Sequence, residues 1–378
     1  MLMKKTILFF SGYFLPAIGG IEQYTYQLSK QLIKRGYHVV VVSSQYKSNL
    51  RNEEEIDGIK VYRLPAWDAK KRYPILLKNR LYRNLLNKIC EERADIYVCQ
   101  TRFQTLSLLG AKLAVRSGQV PIVIEHGTAY LTVGNKLMDL FLNKIERLLT
   151  KKIKRYRPFF YGVSQGAADW LEEFNLTASG VLYNAINSSE FQEHHHEERP
   201  EKDKICLVYV GRLIPKVKGI EMLCSAFVEI SQGFPEIELV IVGEGPLKKS
   251  LIQKYHQYNV IFTGELSHEE VLTLLNATDV FVLLSESEGF STSLLEAAMM
   301  ENIIITTKVG SSYEILVDKT YGYVIEKDRA ALIETLNNIT VNFDTSHLMK
   351  KKVSRRVMAH FDWESTADKF ENIISRLS

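Results

Sequence analysis

Glu288 and Glu296 lie eight residues apart in the stretch DVFVLLSESEGFSTSLLEAAMM, residues 279–300. Carboxylates accept hydrogen bonds from hydroxyls, so two of them brought to one place suit a ribose or a sugar ring. On one regular helix they would stand about 80° apart. With Glu288 in a loop before the helix, both can face one cleft. Residues 280–284 are an apolar run short enough for a buried parallel strand, and residues 285–290 form an acidic turn containing glycine. Ser291, Thr292 and Ser293 are N-cap candidates for a helix carrying Leu294, Leu295, Ala297, Ala298 and Met299. A strand, a tight turn and a helix N-terminus leave backbone N–H groups and partial positive charge beyond the strand end, where a phosphate binds. The same pattern also fits a solvated acidic turn followed by an ordinary surface glutamate.

A second group of charges follows another strand, in GRLIPKVKG, residues 211–219. Arg212 and Lys218 there can hold a diphosphate and neutralise its charge without a metal. Gly243-Glu244-Gly245 closes a further strand at the same edge, and Gly310 precedes a helix start carrying Glu314. In the first half, His126 in Glu125-His126-Gly127 sits at a strand end, placed to meet a substrate hydroxyl or serving as a structural histidine. Gly19 and Gly20 open a helix over residues 21–35, where backbone can approach an anion closely. They do not form a dinucleotide fingerprint, because G-x-G-x-x-G is absent.

The elements that must position these residues alternate strand and helix throughout. Strands are expected at residues 7–10, 39–43, 59–64, 95–99, 120–124, 159–163 and 180–183, and again at 205–210, 238–242, 260–263, 280–284, 303–307 and 322–325. Such alternation means parallel, doubly wound sheets. Residues 187–204, NSSEFQEHHHEERPEKDK, are charged and lack aliphatic side chains, which reads as a linker. The chain thus divides into an N-terminal domain 1–186, the linker 187–204, a C-terminal domain 205–355 and a tail 356–378 whose amphipathic helix can cover a core face in either domain. The cleft between the domains is the expected active site. His194, His195 and His196 invite a metal reading without any fixed geometry around them.

A length of 378 residues exceeds one ordinary core, and 46% hydrophobic with 24% charged residues marks a soluble globular protein. No apolar run reaches eighteen residues and the start turns polar too quickly for a signal peptide, so a cytoplasmic protein is expected. Cys90, Cys99, Cys206 and Cys224 are too scattered for a zinc site or a disulfide framework. A net charge of +4 gives nucleic acid binding no support, but the basic residues are unevenly placed. Lys70, Lys71, Arg72, Lys78, Arg80 and Arg83 cluster with Tyr73, Leu76, Leu77, Leu81 and Tyr82, in a segment read as an amphipathic helix over 73–92. Lys144, Arg147, Lys151, Lys152, Lys154, Arg155 and Arg157 lie on a second long helix. The helix around Arg72 and Arg83 suits an anionic membrane surface or a solvated face.

GGIE, EHG, VSQG, YNAIN, GRLIPKVKG, VGEGP and ESEGFSTSLLEA, in this order over nearly the whole chain, resemble the retaining glycosyltransferases of family four. The resemblance implies an α/β GT-B fold: two Rossmann-like, doubly wound parallel-sheet domains facing a central cleft, the first binding the acceptor and the second a nucleotide-sugar. It implies that Gly20 with Gly19 approaches the donor phosphate or the acceptor and that His126 lies at the reacting sugar. Arg212 and Lys218, beside Gly211, would grip the diphosphate. Glu288 would contact the transferred sugar, with the amides of Gly289, Phe290, Ser291 and Thr292 near it and the phosphates, and Glu296 would bind the ribose. Three features depart from the family pattern. The Arg-to-Lys spacing is one residue longer, which leaves Lys216 as an alternative to Lys218; Asn187 stands where an aspartate is common; and Gly-Phe-Ser-Thr after Glu288 differs from many members. The implied reaction is front-face transfer with retention and without metal or cofactor beyond the nucleotide-sugar co-substrate, UDP-linked in preference to GDP-mannose. The acceptor would be a glycan or lipid-linked glycan of bacterial-type surface polysaccharide or lipopolysaccharide. A nucleotide-sugar 2-epimerase and a catalytically silent GT-B binding partner are the alternatives.

Overall fold

The computed structural model describes residues 5–69, 73–132, 135–195, 204–343 and 347–377. The chain forms two compact units, one from the N-terminal part up to Asn184 together with the helix Trp363–Arg376, the other from Ala185 to Asp362.

The first unit holds strands Thr6–Phe10 (β1), His38–Gln45 (β2), Glu53–Ile56 (β3), Ile59–Ala69 (β4), Tyr73–Leu76 (β5), Ile96–Gln100 (β6), Ile122–Glu125 (β7), Phe159–Gly162 (β8) and Ala178–Val181 (β9). Their order is β3-β4-β2-β1-β6-β7-β8-β9, with β5 on β4. Strands β2, β1, β6, β7, β8 and β9 run parallel, as does β4 on β2; β3 and β5 pair antiparallel with β4. The central strands are apolar on both faces because helices cover both: Ile7 to Phe10 and Val39 to Val42 are fully or almost fully buried. The terminal helix joins this core through Phe370, stacked on Phe9 at 6.3 Å, and through Arg35 bonded to Glu371 at 2.6 Å.

The second unit is one parallel sheet of Ile205–Val210 (β10), Ile237–Val242 (β11), Val260–Gly264 (β12), Val280–Leu283 (β13), Ile303–Thr307 (β14) and Tyr323–Ile325 (β15), in the order β12-β11-β10-β13-β14-β15.

The structure corrects several local expectations. Residues 73–76 are a strand and not the start of a helix: Tyr73 precedes Pro74, which disfavours helical backbone, and the edge of β4 offers partners. The helix begins only at Arg80, where the Asn79 side chain accepts from the Tyr82 amide at 2.9 Å. Residues 53–56, between the strands expected at 39–43 and 59–64, form a further strand that pairs with β4, where Arg63 takes Glu54 at 2.5 Å. The expected linker contains a helix, Ser189–His194, that belongs to the second unit; residues 196–203 lie outside the described residues, as do Lys70, Lys71 and Arg72. The helix His347–His360 crosses the expected boundary at 355 and stays with the second unit, since Val353 and Val357 are fully buried and Ser354 Oγ donates to the Met299 carbonyl at 2.8 Å.

Candidate active site

In the second unit the chain lays β11 and β12 to one side of β10, then returns to place β13, β14 and β15 on the other. Open α/β sheets bind ligands outside the carboxyl ends of their strands at such a reversal. The loops leaving β10 and β13 carry Arg212, Lys218 and Glu288.

These loops are tied to one another before any side chain acts. The Glu286 amide donates to the Val217 carbonyl at 2.8 Å, and Lys327 Nζ bridges the Lys216 carbonyl at 2.6 Å and Glu286 Oε1 at 2.8 Å. On the far side the Leu213 amide donates to the Glu244 carbonyl at 2.9 Å, which draws in the Gly243-Glu244-Gly245 turn. From β14, Thr307 Oγ1 donates to the Ser285 carbonyl at 2.6 Å. Two glycines make the approach possible. A Cβ at Gly219 (φ +65°) would stand 2.4 Å from the Leu284 carbonyl oxygen, and one at Gly310 (φ +42°) would stand 2.2 Å from that of Glu288. Any larger residue would push the loops apart.

Within this frame Lys218 Nζ donates to Glu288 Oε1, which also accepts from Ser285 Oγ at 2.6 Å; both charged side chains are 16% exposed. Of the two lysines left open by the sequence, Lys218 is the one that meets Glu288. Arg212 is exposed, and no carboxylate pairs with it among the described residues. Its carbonyl accepts from the Tyr209 hydroxyl at 3.1 Å. Burial raises the Tyr209 phenol, the Glu288 charge adds to this, and Arg212 opposes it, so both charges act on the same spot.

Ser291 is the N-cap of helix Thr292–Met299, its Oγ accepting from the Leu294 amide at 3.3 Å. Leu294, Leu295, Ala297, Ala298, Met299 and Met300 bury its inner face, which leaves Glu296 half-buried on the other. Glu296 Oε1 lies 3.7 Å from His268 Nδ1, and His268 Nε2 lies 3.0 Å from Glu190 Oε2. Burial pushes the Glu296 carboxyl above its usual range against the opposing His268 charge; the hydrogen bond to Glu190 raises His268. Sequence reasoning missed His268 and Glu190. Their 78-residue separation leaves no local pattern, and the Ser267–Glu270 capping box signals only a helix start.

The other expected residues lie in the first unit. His126 follows β7; its Nε2 is 2.6 Å from Gln100 Oε1 and its ring stands edge-on to Tyr24. Burial pulls its pKa down to about 3, so the imidazole is neutral. Its loop is shaped from below: Glu125 Oε1 accepts from the amides of His126 at 3.0 Å and Gly127 at 2.9 Å, while Arg102 bonds Glu125 at 2.5 Å and also Glu146. All three ion partners are buried, and burial raises Glu146 to about 7. This cluster too was missed, since Arg102, Glu125 and Glu146 come from separate elements. Gly19 caps helix Gly20–Lys34 in extended backbone, and a Cβ at Gly20 would meet open space. Among the described histidines of the expected linker, His195 lies 3.5 Å from Glu301. No three His, Cys, Asp or Glu side chains are grouped to hold a metal among the described residues.

Two compact units, each built on a largely parallel sheet, have the architecture of the GT-B fold. The model for Glycosyltransferase Family 4 matches residues 18–190 and that for Glycosyl transferases group 1 matches residues 190–356, meeting close to the change of unit; the chain belongs to this family and is a glycosyltransferase enzyme. It is 26% identical to an uncharacterized glycosyltransferase of Methanocaldococcus jannaschii over 99% of each chain. It is 24% identical to the GPI3 subunit of the phosphatidylinositol N-acetylglucosaminyltransferase of Saccharomyces cerevisiae, over 100% of this chain and 84% of that one. Its fold is similar to that of HepE from Anabaena, solved with UDP-glucose, with a TM-score of 0.72 at 18% identity over 99% and 100% of the two chains.

Proposed function

We propose that this enzyme transfers a sugar, with retention, from a UDP-sugar to a lipid-linked or glycan acceptor. The observation that carries the donor reading is the grouping of Arg212, Lys218 and Glu288 at the chain reversal of the second sheet. Arg212 and Lys218 take the diphosphate and offset the charge that grows on the leaving phosphate. The ammonium now held by Glu288 turns to phosphate as the donor enters, and Glu288 turns to hydroxyls of the transferred sugar. The amides of Gly289, Phe290, Ser291 and Thr292 complete the phosphate cradle at the capped helix, beside Gly211, and Glu296 accepts from the ribose hydroxyls. The acceptor hydroxyl attacks on the face the phosphate leaves, and that phosphate takes its proton. Neutral His126 serves as a hydrogen-bonding group at the reacting sugar and not as a cation, with Gly19 and Gly20 lining the approach.

The relative that joins N-acetylglucosamine to phosphatidylinositol supports a lipid acceptor, and the UDP-glucose complex of a protein with the same fold supports UDP. Surface polysaccharide or lipopolysaccharide assembly is the setting we assign, at an anionic membrane face that the segment from Arg72 to Arg83 would also meet.

A thermal-shift series with UDP, GDP and their sugars, without added metal, tests the donor site. UDP should raise the melting temperature by mass action, by about 2.7 kcal/mol of stability at a hundredfold excess over Kd, and Arg212→Ala and Glu296→Ala should abolish the shift. No shift at millimolar nucleotide would undo the transferase reading of this site in favour of a silent homologue.

A further inference from the structure

Lys327 lies in none of the motifs that the sequence marks out, yet its ammonium joins three loops of the second sheet. It follows β15, and its Nζ donates to the Lys216 carbonyl at 2.6 Å in the loop after β10 and to Glu286 Oε1 at 2.8 Å in the loop after β13. The Glu286 amide in turn donates to the Val217 carbonyl at 2.8 Å. Lys216 and Val217, the two residues before Lys218, are thus each held by a hydrogen bond from outside their own loop. The backbone needs this hold. Lys216 has φ +61°, in the left-handed region that a residue other than glycine enters at a cost. By the family pattern the interval from Arg212 to Lys218 carries one residue too many, and the left-handed turn at Lys216 takes up that surplus. Inside the loop its carbonyl meets the Gly219 amide at a long 3.4 Å. Lys327, by contrast, sits on a firm base. Asp328 Oδ2 caps helix Arg329–Val341 by accepting from the Ala331 amide at 3.0 Å. Arg329 Nη2 donates to Glu229 Oε2 at 2.6 Å on helix Ile220–Gly233, the helix that the β10 loop feeds.

We infer that Lys327 is the positioning residue that sets Lys218 against Glu288 and so readies both for a nucleoside diphosphate. It acts through the backbone of Lys216 and Val217 and not as a ligand of the phosphates. Its ammonium is engaged by a backbone carbonyl, which has no second role to turn to, as well as by Glu286. Lys218 is engaged by a carboxylate that the donor's hydroxyls can draw away. One lysine therefore holds the loop in shape so that the other can change partners. The inference deepens the donor reading, and the UDP measurement that tests it rests on that reading.

Calorimetric titration of the full chain with UDP, without added metal, compares the parent with Lys327→Met, which keeps a stem of similar length and drops the charge. Affinity should fall about tenfold. In a Lys218→Ala background the same substitution should change affinity less than about twofold, because a residue acting through Lys218 then has nothing left to position. Lys216→Gly added to Lys327→Met should recover most of the loss, since glycine takes the left-handed backbone without a latch. The urea midpoint of Lys327→Met should stay close to the parent's, as befits a partly exposed ion pair. Losses that add in the Lys218→Ala background and that Lys216→Gly fails to recover would overturn the inference, making Lys327 a phosphate ligand in its own right. Unchanged UDP affinity in Lys327→Met would overturn it as well. Hydrogen exchange of the ligand-free chain reads the loop directly: the amides of residues 216–219 and of Glu286 should exchange about tenfold faster in Lys327→Met, while helix Arg329–Val341 keeps its rate. Equal exchange in parent and variant would overturn the inference whatever UDP does. Faster loop exchange in a chain whose parent form does not bind UDP would uphold the hold on Lys218 and strike the donor reading, so the two failures are told apart.

Discussion

The carboxyl edges of the two sheets carry similar residue types in opposite states. At the first, Arg102 is 1% exposed between Glu125 and Glu146, and the polar atoms face one another and the backbone of the His126 loop. At the second, Arg212 is exposed, Lys218 and Glu288 retain access to solvent, and Glu296 reaches a partly exposed histidine. A charge buried with its partners is committed to shape, because a large desolvation penalty follows if one partner leaves. A charge at the rim can exchange one partner for another at modest cost. The first edge is therefore held to one shape, while the charges of the second stay free to change partners, as the proposed function requires of a site that receives a diphosphate.

The largest effect should come from breaking the mould. Arg102→Ala leaves Glu125 and Glu146 buried without a cation and should cost about 3–5 kcal/mol of stability, measured by urea unfolding of the whole chain; a loss below about 1 kcal/mol would show that the cluster does not hold this edge. At the second edge the same kind of deletion should spare the fold and strike the chemistry. Lys218→Ala should lower transfer from a UDP-sugar about 10²–10³-fold, while its unfolding midpoint stays close to that of the parent. A Lys218 variant that unfolds as Arg102→Ala does would erase the contrast between the edges.

The contrast follows what was legible in the sequence. Strand and helix alternation is written in short apolar runs, and β10 and β14 fall on the residues their runs mark out. Glu288 was legible because strand, acidic turn and Ser291 cap lie within a dozen consecutive residues, and local order alone builds that unit. The choice between Lys216 and Lys218 was not, for it rests on the close approach of Gly219 to Leu284, a contact across 65 positions. Strand β5 was hidden by the helical spacing of its apolar residues, which the proline and the open edge of β4 overrode. Arg102, Glu125 and Glu146 carried no pattern at all, since burial creates their relation and burial is a property of the folded chain.

The smallest effect separates the two edges by pH, and its sign is fixed by His268. The hydrogen bond to Glu190 raises this imidazole above its ordinary 6.5. A raised histidine adds stability that is fully present below its unfolded value and is lost as pH rises through the folded one. Burial raises Glu296 as well, and the His268 cation is what restrains that rise. In His268→Gln the restraint is gone, so as pH falls below 6.5 Glu296 should take up a proton earlier than in the parent and lose its capacity to accept from a ribose hydroxyl. The affinity for UDP should then fall by a factor of a few relative to the parent at the acid end and match it at the alkaline end, the size being limited to under about 1 kcal/mol because the His268 side chain is 52% exposed. Calorimetric titration of both proteins across this range reads the ratio directly. A ratio that does not change with pH would mean that Glu296 holds its charge without His268. The second edge would then match the first, where His126 is neutral by burial alone and has no charge to lend.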